Sequence, residues 1–118
     1  MPPGEALGAL IGIGIDFEVK SGQEVYFSFI TEIIFDSSSD PASSIDIYFE
    51  IDGIKWTKPN IRVSRFNITS SSGFCMTDSL QHYNNNMTDG LHYATMLFKG
   101  SSTADAIWHS SLFIRTFN

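Results

Sequence analysis

One cysteine, Cys75, stands among 118 residues, so the chain has no intramolecular disulfide framework and no cysteine-built zinc site. A lone thiol of this kind is expected to behave as a small buried hydrophobe. Cations are scarce as well: seven Lys and Arg face thirteen acids, for a net charge of −6. Binding to nucleic-acid phosphates rests on clustered cations that release counterions, and this composition excludes it. No apolar run reaches bilayer length. The longest, Ala6 to Ile15, is broken by Gly8, Gly12 and Gly14, has no cationic segment before it, and is followed by Asp16 and Glu18. It reads as neither a membrane span nor a cleaved signal peptide.

Catalytic signatures are missing too. No Gly-x-Ser-x-Gly elbow, phosphate loop or dinucleotide fingerprint occurs. The histidines at 82, 92 and 109 show no metal-ligand spacing. His92 and His109 fall on strand patterns, where a packed or hydrogen-bonded imidazole is expected, and His82 sits in an Asn-rich tract that reads as surface. Asp46, Glu50 and Asp52 share one face of an alternating run and are expected to be solvated, because acid/base work needs two carboxyl environments that push the pKa values apart. Asp36 and Asp40 lack the ordered oxygen ligands and turn glycine of a calcium loop. Asn67-Ile-Thr69 and Asn86-Met-Thr88 match the short glycosylation acceptor and are expected by chance in a chain rich in Ser, Thr and Asn. Neither a cofactor nor a resident metal is expected.

What is present in excess is aromatic surface: ten Phe, four Tyr and two Trp, within an apolar content of 42%. Such rigid bodies fill sandwich cores and interfaces. Periodicity supplies the fold class. Ile11, Ile13, Ile15, Phe17 and Val19 alternate with Gly12, Gly14, Asp16 and Glu18, which predicts a half-buried strand. Glycines inside a strand mark places where another backbone or side chain comes close. Residues 24–35, EVYFSFITEIIF, are apolar on both faces and predict a strand covered at least partly on both sides. Ile45, Ile47, Phe49 and Ile51 alternate ahead of Asp52-Gly53, the strongest hairpin signal in the chain, after which Ile54 and Trp56 resume the apolar pattern.

Pro59-Asn60 reads as an interruption before a run over residues 61–68. Residues 69–87 suggest only a short strand around Phe74 to Met76, followed by a polar loop. Late strands follow over 91–99 and 107–117, the last expected in the middle of a sheet. With no ten-residue helical period, about eight short strands predict an all-β, antiparallel sandwich of the jelly-roll kind over residues 11–118, preceded by an arm at 1–10.

Charge is divided along the chain. Residues 1–53 hold ten acids and one base, whereas residues 54–118 hold three acids and six bases. Strands from the two halves interleaving in a sandwich would average this out. The sharper reading makes Lys55, Lys58, Arg62 and Arg65 a positive element for a complementary protein surface.

The segments EVKSGQEVYFSF, IYFEIDG, DGLHYATMLFKG and IWHSSLFIRTF follow one another in an order that resembles the β-sandwich domains of the complement and tumour necrosis factor type. Relatives of that type recur in phage and bacterial tail, fibre and head-decoration proteins. Asp52-Gly53 matches the hairpin after a central strand, Gly90, His92 and Leu97 match a Gly-x-His strand, and Leu112 to Arg115 match the closing strand. Residues 69–87 have no counterpart. The resemblance implies a homotrimer whose inner sheet gathers aromatics round a threefold axis, with Tyr26, Tyr48, His92, Leu97 and Phe113 as candidate interface residues.

The function expected on this basis is that of a non-enzymatic structural or attachment protein of a virion or extracellular surface, made without a cleaved signal peptide. It would join a larger assembly such as a capsid or tail. Pro2, Pro3, Leu7 and Leu10 are the candidate anchoring arm. Trp56, Lys58, Arg62, Arg65, Tyr83 and Trp108 are candidate contacts to a partner. The alternative is a carbohydrate-binding module, in which Trp56, Tyr83, Tyr93 or Trp108 stacks on a glycan.

Overall fold

A computed structural model describes residues 6–35, 44–64, 74–100 and 106–118, with side chains from residue 13 onward except at 64, 74, 106 and 108. The described residues form seven strands: β1 (Ala6–Val19), β2 (Glu24–Phe35), β3 (Ser44–Ile51), β4 (Ile54–Ser64), β5 (Phe74–Asn84), β6 (Gly90–Gly100) and β7 (Ala106–Phe117). They make two antiparallel sheets, one ordered β1-β6-β3-β4 and the other β5-β2-β7. An all-β sandwich is thus borne out. The strand pairing does not establish the jelly-roll winding: β4 pairs with β3, and β5 lies beside β2 in the other sheet.

Only β3 and β4 are joined within one sheet, and every other connection between successive strands crosses the sandwich. Acidic β3 therefore lies between β4 and β6 from the basic half of the chain, which is the averaging of charge that interleaved strands imply. The β3–β4 turn is built by Asp52 at φ 54° and Gly53 at φ 80°. Two successive left-handed residues match the twist of the flanking strands, as a two-residue hairpin requires. Gly53→Ala forces a Cβ into that conformation and is expected to cost about 1–2 kcal/mol in chemical unfolding.

The core follows from the period of two. In β2, Val25, Phe27, Phe29, Thr31, Ile33 and Phe35 are all fully buried, while the alternate residues are half-buried or, at Ile30, exposed. Opposite them lie Ile45, Ile47, Phe49 and Met96 from the other sheet, with Phe17, Trp56 and Leu112 packed at the margin. Each fully buried Phe contributes about 2–3 kcal/mol of apolar burial. Phe27 is the hub, with ring centroids of Phe17, Phe49, Trp56 and His82 all within 6.3 Å. Thr31, at 0% exposure, would be costly as an unpartnered hydroxyl, and Ser110 Oγ lies 2.7 Å from its Oγ1. Ser110 sits in a one-residue bulge of β7, where His109 takes φ 42°.

Local reading failed in several places. β1 begins at Ala6 rather than Ile11, since Ala6 to Ala9 pair with Gly100 to Leu97, so Leu7 and Leu10 lie on a paired strand. β4 runs through Pro59 without ending. Four residues, 56–59, stand opposite Phe49 alone, and a bulge on an edge strand tolerates the missing N–H. β5 occupies 74–84, because an edge strand can carry polar side chains on its outer face. β7 is an edge strand, and β2 is the central one.

Candidate functional site: two unlike outer faces

The outward residues of β2 are the alternates to its core set. Tyr26, Ser28 and Ile30 lie in register between Tyr83, Gln81 and Ser79 of β5 and Arg115, Phe113 and Ser111 of β7. Phe113 is 54% exposed, Ile30 49% and Tyr83 48%. Tyr83 and Phe117 approach each other across the end of this face, with ring centroids 5.8 Å apart. The Tyr83 hydroxyl donates a hydrogen bond to the Glu24 carboxylate, which pushes the phenol above its usual range. Tyr26, Arg115, Phe117 and Asn118 line a shallow hollow of about 490 Å³ at the same end. Charge on the face is sparse among the described residues: Glu24, Glu32 and Arg115.

The outer face of the four-stranded sheet is different in kind. Asp16, Glu18, Glu50, Lys55 and Arg62 all point outward there. The Lys55 ammonium stands 4.8 Å from the centre of the Tyr48 ring. The Tyr93 ring lies directly over Gly14, where a Cβ would overlap its hydroxyl, so this glycine is a site of close approach as its sequence context predicts. Asp46 departs from the solvated carboxylate expected of it. It is 7% exposed, in register with Arg62 on one side and Lys99 on the other, and Arg62 Nε lies 3.8 Å from Oδ1.

The residues singled out from sequence are therefore divided. Tyr26, Phe113 and Tyr83 share the aromatic face. Trp108 is in the same sheet opposite Glu32, but its side chain lies outside the described ones. Tyr48 and Leu97 pair with each other on the opposite, charged face, and Leu97 is only 9% exposed. His92 is taken up inside the chain, its ring stacked on Phe17 at 5.4 Å and hydrogen-bonded to Asp52, so it is not available to a partner. Trp56 packs edge-on against Phe27 and His82 rather than standing out as a sugar platform, because it follows outward-facing Lys55 and so falls on the inward face of β4.

Lys58 and Arg62 are exposed on β4, whereas Arg65, Pro2 and Pro3 lie outside the described residues, as do the side chains of Leu7 and Leu10. His82 is half-buried on β5, and burial lowers its pKa. His109 is exposed at the β7 bulge rather than packed in the core.

Ile30, Arg115 and Phe117 belong to the aromatic face and are not among the candidate residues of the sequence. The alternation of residues 24–35 carried the signal for Ile30, but which of two apolar faces points inward depends on the opposing sheet.

Cys75 is exposed rather than buried, opposite Ile34 on the outer side of β5. Partial desolvation and then Glu32, whose Oε2 accepts from Sγ at 3.5 Å, push the thiol upward. The thiolate is the reacting species, so native Cys75 is expected to titrate fully with a thiol reagent at neutral pH, and more slowly than a free cysteine. Glu32→Gln speeds the reaction if this carboxylate is the cause.

Among the described residues no cluster of three His, Cys, Asp or Glu side chains is placed to hold a metal ion, and no helix is long and apolar enough to cross a membrane. Fold and surface together define an antiparallel β-sandwich protein with one aromatic and one charged outer face. The sequence matches no protein-family model, and no curated protein matches it.

Proposed function

We propose that this chain is a non-enzymatic structural or attachment protein that assembles as a homotrimer through the outer face of the β5-β2-β7 sheet. It takes its place in a larger particle, such as the capsid or tail of a virion, by surface complementarity. The observation that supports this is the aromatic face itself. Tyr26, Ile30, Tyr83, Phe113 and Phe117 lie on one face, among uncharged Ser28, Gln81, Ser79 and Ser111 and with only sparse charge. Large apolar side chains exposed together on one face mark an interaction site.

Size and charge favour a second copy of the chain as the occupant. Three strands spaced about 4.8 Å apart and roughly 35–40 Å long present on the order of 500 Å² in projection. A standard interface uses about 800 Å² of accessible surface per partner, so one such face is of the right order. Copies with net charge −6 repel one another, and this is the face that brings the fewest charges together.

Mass measurement in solution tests the reading: three times the 13.1 kDa chain mass is expected, and a monomer independent of concentration would overturn it.

A carbohydrate-binding role is favoured by one separate observation, the hollow lined by Tyr26, Phe117, Arg115 and Asn118. Aromatic walls, a cation and an amide suit an acidic sugar, and in that case Tyr26 and Phe117 replace Trp56 as the stacking groups. A glycan array probed with the intact chain separates the two readings, since absence of binding removes the second.

A further inference from the structure

We propose that His92 is a proton-dependent latch that holds the turn between β5 and β6 closed over the core. The ring is enclosed, with its side chain 7% exposed, and it meets two acceptors at once. Nδ1 lies 2.6 Å from Asp52 Oδ2, and Nε2 lies 2.7 Å from the Thr88 carbonyl oxygen. A neutral imidazole has one N–H and one lone pair, so it satisfies only one acceptor and sets its lone pair against the other. Both contacts are favourable together only when both nitrogens carry a proton. The arrangement therefore holds the ring as imidazolium.

The surroundings keep the acceptors in place. Asp52 also accepts from the Tyr93 N–H through Oδ1 at 2.8 Å, and its own N–H donates to the Tyr93 carbonyl at 2.8 Å. The β3–β4 hairpin thus fixes the carboxylate against β6. Phe17 of β1 closes the ring from one side. Other charged groups on the packed elements are Asp16 and Glu18 on β1, Asp46 and Glu50 on β3, Lys55, Lys58 and Arg62 on β4, Lys99 on β6 and Asp89 in the turn, all on the outer face or exposed. Asp52 is the charge that faces the ring.

What the latch holds is residues 85–89. Two side-chain bonds tie this turn: Asn86 N–H donates to Asn84 Oδ1 at 2.7 Å, and His92 donates to Thr88. Met87 rides on the turn and packs against the core cluster. Loss of the proton breaks one of the two His92 contacts. The Asp52 side is braced by Tyr93, so the Thr88 side yields and Met87 withdraws.

Donation of a hydrogen bond to Asp52, ahead of the opposing desolvation, raises the His92 pKa above its usual value, and acceptance of that bond lowers the pKa of Asp52. The His92 contribution is fully present below the unfolded value near 6.5 and is lost as pH rises through the raised folded value. The Asp52 contribution is present above the unfolded value near 3.8 and is lost as pH falls through the lowered folded value. The latch is tightest between those two unfolded values, in mildly acidic solution.

The test is a titration of the full chain from pH 5 to 9 that follows the His92 ring nitrogens and the Met87 methyl carbon by NMR. Imidazolium nitrogen shifts for His92 at pH 6 are expected, with the Met87 methyl moving at the same midpoint, above pH 6.5. Asp52→Asn suits the left-handed turn position and should lower both midpoints together by about one pH unit. In His92→Gln the Met87 methyl should no longer titrate. A neutral His92 ring at pH 6, or a Met87 methyl that stays fixed while His92 titrates in the native protein, overturns the latch. Either finding is readable even if the His92 variant fails to fold.

Discussion

Phe27→Ala is expected to cost about 3–5 kcal/mol, as large-to-small changes at a fully packed aromatic site do. The side chain is completely buried, and four rings touch it: Phe17 from β1, Phe49 from β3, Trp56 from β4 and His82 from β5. Those rings come from both sheets and from edge as well as central strands, so a cavity there cannot collapse by the shift of one neighbour. Denaturant unfolding should show a lower midpoint with an unchanged slope, and the melting temperature should fall by roughly 10–25 °C. A loss below about 1 kcal/mol would mean that Phe27 is not the hub its contacts make it. Phe113→Ala supplies the contrast, since Phe113 is 54% exposed and its removal should change monomer stability by no more than about 0.5 kcal/mol.

Phe113 matters in a different experiment. Placing charge on the aromatic face, as Ile30→Asp together with Phe113→Asp, should dissociate the proposed trimer while the monomer stays folded. Buried apolar anchors of an interface are each worth about 2 kcal/mol or more. Two of them correspond to a fall in association constant of roughly 1,000-fold at about 1.4 kcal/mol per decade. Added acid on a chain already at −6 acts in the same direction. Sedimentation or light scattering should report the single-chain mass for the variant, with an unchanged β spectrum. As a control, Lys55→Glu places a like change on the opposite face and should leave the mass as it was. If the Lys55 variant dissociates and the double variant does not, the contact lies on the charged sheet.

The aromatic face and the latch also differ in how they could have been foreseen. Tyr26, Tyr83 and Phe113 are large aromatics in a short chain, and composition alone draws attention to them. Their grouping on one surface needs the register of β2 with both neighbours, which sets Tyr26 between Tyr83 and Arg115. Asp52 and His92 are forty residues apart and each carries an ordinary local explanation, a turn residue and a strand histidine. Only the β3–β6 pairing places the carboxylate against the ring.

By itself the sequence determined the fold class and the inward face of most strands. The period of two is a local property, written in residues such as Ile13 to Val19 and Ile45 to Ile51, and it needs no knowledge of partners. It likewise determined the Asp52-Gly53 turn, because left-handed φ is a demand on two neighbouring residues alone. Tertiary structure decided which apolar surface is core and which is left outside. It turned His82 inward and Cys75 outward, buried Asp46 between Arg62 and Lys99, and made an edge strand of the polar stretch that ends in Gln81 to Asn84. Those outcomes depend on cross-strand neighbours, on bulges and on the opposing sheet, and such relations are absent from any local window of the chain.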